Sequence, residues 1–215
     1  MSTADTQERL LDAAEHLFAD LGFSATSLRA ITTVAEVNLA AAHYHFGSKD
    51  GLLEAVIARR IGPINEERIE RLNEIESRSQ GMALPLEEII EALLAPALHH
   101  LRTQHGADFL RLVGRSLTEP GDHWIPIASQ FEEVKRRFVA ALHKAVPDLA
   151  PATLFWRMHF LIGIMCHTLA DNHRLKMISG GLCDPEDVEG AIAHLVPFVA
   201  AGMRAPAPCM KEEKA

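Results

Sequence analysis

The sequence predicts an all-α fold, a short N-terminal group of three helices followed by a longer helical body. Three observations predict it. Apolar residues recur at helical spacing through most of the chain, and strand-like alternation is scarce. Gly and Pro pairs fall between these periodic stretches and punctuate them. With 215 residues, 48% of them hydrophobic and 23% charged, the chain is globular and long enough for one or two real cores. No run of roughly 18 apolar residues occurs, so no membrane span is expected. The N-terminus lacks a basic, apolar, small-residue pattern, so no secretory signal is expected. Cys166, Cys183 and Cys209 have no C-x-x-C spacing, which reads as free thiols in a reducing cytoplasm.

Asp5-Thr6-Gln7-Glu8 reads as a cap with a Glu three residues on. Leu10, Leu11, Ala14, Leu17, Phe18 and Leu21 then form one helical stripe, ended by Gly22. Phe18 and Phe23 are read as core. Ser27 caps a second, short helix, with Leu28, Ile31 and Val34 or Ala35 on one face. After a tight connection, Asn38 caps a third short helix. It starts slim, with Leu39, Ala40, Ala41 and Ala42, and ends in His43, Tyr44 and His45. Val37 and Phe46 would anchor it. A slim, uncharged helix front with hydrogen-bonding groups behind it suits the DNA major groove. The same pattern also fits a structural helical hairpin.

Ser48 caps the fourth helix, with Asp50 near its positive end. Leu52, Leu53, Val56 and Ile57 face inward, and Gly62-Pro63 is expected to break or kink it. The charge-dense stretch to Arg78 keeps a thin stripe of Ile64, Ile69, Leu72 and Ile75. It reads as a solvated helix or as a lever between two parts of the chain. A helix from Leu84-Pro85 to about His100 contains Pro96, and a short one spans Asp108 to Thr118. His99, His100 and His105 lack the partners that complete a metal site, so no metal and no cofactor are expected. Glu119-Pro120-Gly121-Asp122 is a turn. Phe131, Val134, Phe138 and Leu142 then repeat at helical spacing. The longest apolar helix is expected from Leu154 to Ile178, with one face on an interior and another on a second subunit. Asp184-Pro185-Glu186 starts the last helix, kinked at Pro197, before a loose tail from Ala205 to Ala215.

The run from Thr26-Ser27 through Ile31 and Val37-Asn38 to Tyr44-His45-Phe46-Gly47-Ser48-Lys49 resembles the DNA-binding signature of TetR-family regulators. Asn38-Leu39-Ala40-Ala41, Phe109-Leu110-Arg111-Leu112, the run from Leu154 to Phe160 and the run from Val196 to Arg204 resemble the PsrA-type branch, whose members respond to long-chain fatty acids. Two departures stand out. Glu36 occupies a turn position where many members have Gly, and would need an unstrained conformation there. His43 stands where many have Tyr.

The resemblance implies a helix-turn-helix DNA-binding domain over 1–47, a helical-bundle ligand-binding and dimerisation domain over 48–204, and a tail over 205–215. It implies a homodimer joined by the last two long helices and bound to a palindromic operator on double-stranded DNA. It further implies repression, relieved by a large apolar ligand such as a long-chain fatty acid or acyl-CoA. Base contacts are expected from the first part of the third helix, with Asn38, Leu39, Ala40 and Ala41, and phosphate contacts from Ser27, Tyr44, His45 and Lys49. His43 is counted among the DNA-binding residues, though its departure from Tyr weakens the transfer of a phosphate contact to that position. Candidate pocket residues are Phe109, Val113, Leu117, Trp124, Phe131, Phe138, Trp156 and Phe160, with Arg111, Arg157 and His159 for a carboxylate end. A multidrug-type or other amphiphile sensor is an alternative. A helical-bundle enzyme or lipid carrier with an idle head is another, although no G-x-S-x-G, H-E-x-x-H or Gly-rich phosphate loop supports an enzyme.

Charge complicates the DNA reading. The chain carries −8, and over residues 1–60 the basic Arg9, Arg29, Lys49, Arg59 and Arg60 face eight acidic residues, 5 − 8 = −3. Arg29, Lys49 and helix N-termini can still meet phosphates if Asp5, Glu8, Asp12 and Glu15 face elsewhere. A shallow salt dependence follows.

Overall fold

A computed structural model describes residues 3–79, 82–101, 106, 109, 112, 128–170 and 174–207. The described residues form nine helices and no strand: α1 Thr3–Leu21, α2 Leu28–Val34, α3 Leu39–Phe46, α4 Lys49–Ser79, α5 Leu86–Leu101, α6 Glu132–Ala145, α7 Pro151–Ala170, α8 Arg174–Ile178 and α9 Val188–Arg204. None of these helices is long and apolar enough to cross a membrane. The chain divides into two compact units, Met1–Ile69 with Pro96–Lys135, and Glu70–Ala95 with Arg136–Ala215.

In the first unit, α1, α2 and α3 pack against one another. Leu10, Ala14, Phe18, Ile31, Ala35 and Ala42 are buried, and the Phe18 and Phe23 rings lie 5.5 Å apart. Ala35 rather than Val34 completes the inner face of α2, since Val34 is exposed. Helix α1 begins before Asp5, which therefore lies in the first turn instead of capping it. Gly22 ends α1 at φ 86°, its N–H donating to the Phe18 carbonyl.

Of the break or kink expected at Gly62-Pro63, the break does not occur: helix α4 is continuous through it. Pro63 removes one hydrogen bond, to the carbonyl of Arg59, at a cost of about 3 kcal/mol. Ile57, Ile61 and Ile64 are all buried around it, and each contributes about 1.5–3 kcal/mol. Burial outweighs the missing bond. Pro96 and Pro197 likewise sit inside α5 and α9.

In the second unit, α7 packs on α9. Leu154, Met158, Leu161 and Leu169 of α7, and Ile192, Leu195, Val196, Val199 and Met203 of α9, are buried. The helix expected from Leu154 to Ile178 is described as α7 to Ala170 and α8 from Arg174, and residues 171–173 lie outside the described residues. Helix α9 starts at Val188, later than expected, because Asp187 is the cap: its Oδ1 accepts from the Gly190 N–H at 2.8 Å. Arg157 clasps the far end of α9, donating to the carbonyls of Met203, Ala205 and Pro206. Arg204 in the last turn of α9 forms a two-pronged ion pair with Glu87 in the first turn of α5. The hydrogen bonds from Arg204 hold the Glu87 carboxyl down at about 2.

Candidate DNA-binding interface

The second and third helices are each capped as their sequences specify. Ser27 Oγ accepts from the Ala30 N–H at 3.1 Å and Asn38 Oδ1 from the Ala41 N–H at 2.7 Å. Between them, Ala35–Asn38 forms the turn. Glu36 adopts φ 52°, which corrects the expectation of an unstrained conformation there. The cause is the way α2 is closed. Glu36 N–H donates to Thr33 O at 3.2 Å and Val37 N–H to Thr32 O at 3.0 Å, a pairing that needs a left-handed residue at this place. An ion pair from Arg9 to the Glu36 carboxylate, 2.9 Å, holds the side chain.

Helix α3 presents Asn38, Ala40, His43 and Tyr44 to solvent and turns Ala42 inward. Leu39, Ala41 and His45 are half-buried, and Tyr44 is 83% exposed. Ala40 and His43 lie three residues apart and share one face, with Tyr44 beside them. The far end is set by Gly47, at φ 70° and ψ −57°. With the Ser48 N–H donating to Phe46 O at 2.7 Å, this is a tight three-residue turn open chiefly to glycine. It aims the Gly47 carbonyl back at the His43 ring, whose Nδ1 lies 2.9 Å away. Ser48 Oγ then accepts from the Gly51 N–H. A Cβ at Gly51 would strike the Phe46 carbonyl.

Lys49 has a different job from the phosphate contact expected of it. Its ammonium donates to the carbonyls of Phe23 and Thr26, at 2.8 and 2.9 Å, and lies 4.1 Å from the centre of the Phe23 ring. It braces the loop before α2. Thr26, buried, supports the same loop by donating to the Gly22 carbonyl at 2.7 Å. Nothing in the motif distinguishes this loop role from a surface role, and Thr26 was missed for that reason.

The acidic face of α1 is spent inside the molecule. Arg59 Nη1 bridges Glu8 at 3.1 Å and Asp12 at 2.8 Å, while its Nη2 meets Glu15. Arg60 Nε donates to Glu15 at 2.8 Å. Burial opposes the charge on Arg59, but the hydrogen bonds that its guanidinium donates to Glu15 and Asp12, with their negative charges, outweigh it and hold the guanidinium above its ordinary pKa. The spacing of Glu8, Asp12 and Glu15 on one helix face, opposite adjacent arginines, was a readable signal for this network. Arg9 and Lys49 are engaged as described. Of the five basic residues up to position 60, Arg29 alone has no such partner among the described residues; it is exposed on α2.

The proposed pocket residues fall in different places in the chain's two units. Phe109 is buried in the first unit and Phe138 in the second, while Phe131 is half-buried. Trp156, His159 and Phe160 stand on the exposed face of α7, with Trp156 and Phe160 stacked at 5.9 Å. They do not line a closed interior, because the inward positions of α7 are taken by Leu154, Met158 and Leu161. Arg157 is turned to the end of α9. Val113, Leu117, Trp124, Arg111 and His105 lie outside the described residues, as do Glu119–Asp122, most of 108–118 and the tail beyond 207. Among the described residues no cluster could hold a metal ion.

This capped helix pair on a helical body is the architecture of a transcription regulator, and sequence comparison identifies the family. Residues 91–202 match the family described as "Tetracyclin repressor-like, C-terminal domain" and residues 10–56 that described as "Bacterial regulatory proteins, tetR family". The chain belongs to the TetR family of transcriptional regulators. Two curated relatives are regulators rather than enzymes: the probable HTH-type transcriptional regulator YttP of Bacillus subtilis (strain 168), 40% identical over 53 residues, and the HTH-type nicotine-responsive transcriptional repressor HdnoR of Paenarthrobacter nicotinovorans, 40% identical over 58. The matched stretches cover 25% and 27% of this chain, and 26% and 30% of those proteins. Among solved structures, the fatty acid degradation regulator FadR from Bacillus halodurans is similar at TM-score 0.62 and 13% identity, over 94% of this chain and 97% of that one. That likeness is one of fold.

Proposed function

We propose that this regulator is a homodimeric repressor whose α3 helices enter successive major grooves of a palindromic operator. The observation that carries the reading is α3 itself, capped by Asn38, slim at Ala40 and Ala41, and exposed along Ala40, His43 and Tyr44. Ser27, Tyr44 and His45 contact phosphate. Four of the five cations up to position 60 are tied up internally, so few counterions are released on binding. The salt dependence of operator binding is accordingly shallow. A steep one would contradict the layout.

The head over 1–47 reads DNA and the body over 48–204 senses a ligand. Dimerisation uses the outer faces of α7 and α9, where Phe155, Trp156, Phe160 and Phe198 are all more than half exposed. The ligand is a large apolar molecule, a long-chain fatty acid or acyl-CoA. The PsrA-type runs support this. Ligand and DNA oppose each other, and by linkage each lowers affinity for the other by the same factor.

Fluorescence anisotropy on labelled DNA from the gene's upstream region, with and without a long-chain fatty acid or its coenzyme A thioester, tests the proposal. Specific binding relieved by the lipid is expected. Specific binding unmoved by lipid would keep the repressor and replace the ligand by another amphiphile.

A further inference from the structure

The Gly47 carbonyl can only accept a hydrogen bond. The His43 nitrogen facing it, Nδ1 at 2.9 Å, must therefore carry the proton. In a neutral imidazole this leaves Nε2 bare, with a lone pair and no hydrogen. Two local bonds hold the ring in place. As the ring donates to Gly47 O, the Gly47 N–H donates back to the His43 carbonyl at 2.9 Å. The turn at Gly47 that aims this carbonyl is a backbone property, since a Cβ there would meet nothing within 4 Å. His43 is thus an oriented, one-way acceptor on the exposed face of α3, one turn beyond Ala40.

The other exposed side chains of that face cannot play this part. Asn38 has its oxygen committed to the Ala41 N–H, which removes the paired donor and acceptor that an amide needs to read adenine. Ala40 offers only a methyl group. The Tyr44 hydroxyl both donates and accepts, so it does not discriminate.

We propose that His43 is a specificity-determining residue, its Nε2 accepting a hydrogen bond from the exocyclic amino group of an adenine or cytosine in the major groove. Only those two groups present donors there; guanine N7 and O6 and thymine O4 are acceptors and would face the bare Nε2 lone pair. The inference rests on the reading of α3 as the groove-facing helix.

The test uses the full-length protein and a duplex selected from a randomised library by binding to it. Each adenine of the half-sites is replaced in turn by purine, and each cytosine by 2-pyrimidinone, which deletes only the amino group. At one symmetric position the wild type should lose about tenfold in affinity, in the range of a single lost base contact. His43→Phe should lose a similar factor on the parent duplex and be indifferent to the deletion at that position. Nitrogen-15 spectra of the free protein should show His43 protonated at Nδ1. The wild-type arms do not depend on the variant folding. A protein that selects a specific duplex but tolerates every amino deletion would overturn the assignment while leaving α3 as the reader. So would His43→Phe weakening specific and random duplexes alike, or an Nε2–H tautomer. Failure to select any duplex would overturn the DNA reading and this inference together.

Discussion

The exposed face of α3 and the exposed faces of α7 and α9 are surfaces of opposite kinds. On α3 the solvent-facing side chains, apart from the methyl of Ala40, carry hydrogen-bonding atoms, the exposed Tyr44 ring included, and two are already tied locally: Asn38 to Ala41, His43 to Gly47. On α7 and α9 they are large and apolar, with Phe155, Trp156, Phe160 and Phe198 all exposed. The first surface loses little free energy in water and is pre-shaped, as a reader of a hydrated groove should be. The second is costly in water and gains by being covered. The difference teaches where each kind of residue is informative. A cluster of exposed aromatic rings names a need for cover, whereas an exposed polar group names a partner only once its local hydrogen bonds are subtracted.

The largest expected effect breaks the second surface. Trp156→Glu with Phe198→Glu removes two apolar anchors per protomer, four per dimer, at roughly 1.5–3 kcal/mol each. Sedimentation at micromolar concentration should show a monomer of unchanged helicity. A persisting dimer would mean that these faces serve something else.

Next comes the brace beneath the first surface. Glu15→Gln leaves the half-buried Arg59 and Arg60 short of the buried carboxylate they share, and should cost about 1.5–3 kcal/mol in denaturant unfolding. A loss under 1 kcal/mol would reduce the network to ordinary surface pairing.

A smaller change sharpens the reading of the turn. Glu36→Gly relieves a left-handed side chain worth about 1–2 kcal/mol against the 0.5–1 kcal/mol that glycine's freedom costs. Loss of the exposed Arg9 pair subtracts a few tenths. A net gain near 0.5 kcal/mol is expected, with operator affinity unchanged.

The smallest effect lies at the other end of the body. The carboxyl of Glu87 falls from its ordinary 4.5 to about 2 because Arg204 binds its ionised form. A depressed carboxylate stabilises the fold fully above its unfolded pKa, and that contribution is lost as pH falls through the folded one. Melting curves of wild type and Arg204→Ala should therefore converge between pH 4.5 and 2, by a small amount because the pair is exposed.

Much of the molecule was legible in its sequence. The all-α class, the caps Ser27 and Asn38, the stop at Gly22 and the inward stripes depend on residues within a few positions of one another. The motif from Thr26 to Lys49 was enough to point to the family. Local chemistry decides these features, so a linear reading reaches them. The failures at charged residues share one cause: each needed a partner distant in sequence. Lys49 turned to the Phe23–Thr26 loop, Arg157 to the end of α9, and Arg59 and Arg60 to α1. Helix α4 runs through Pro63 with Ile57, Ile61 and Ile64 buried, and Trp156 and Phe160 face outward because Leu154, Met158 and Leu161 fill the inside of α7. The sequence determined which segments are helices and what chemistry each carries. Tertiary packing alone decided which of those groups remain available to a partner, because a hydrogen bond or a buried face, once satisfied internally, is no longer offered outside.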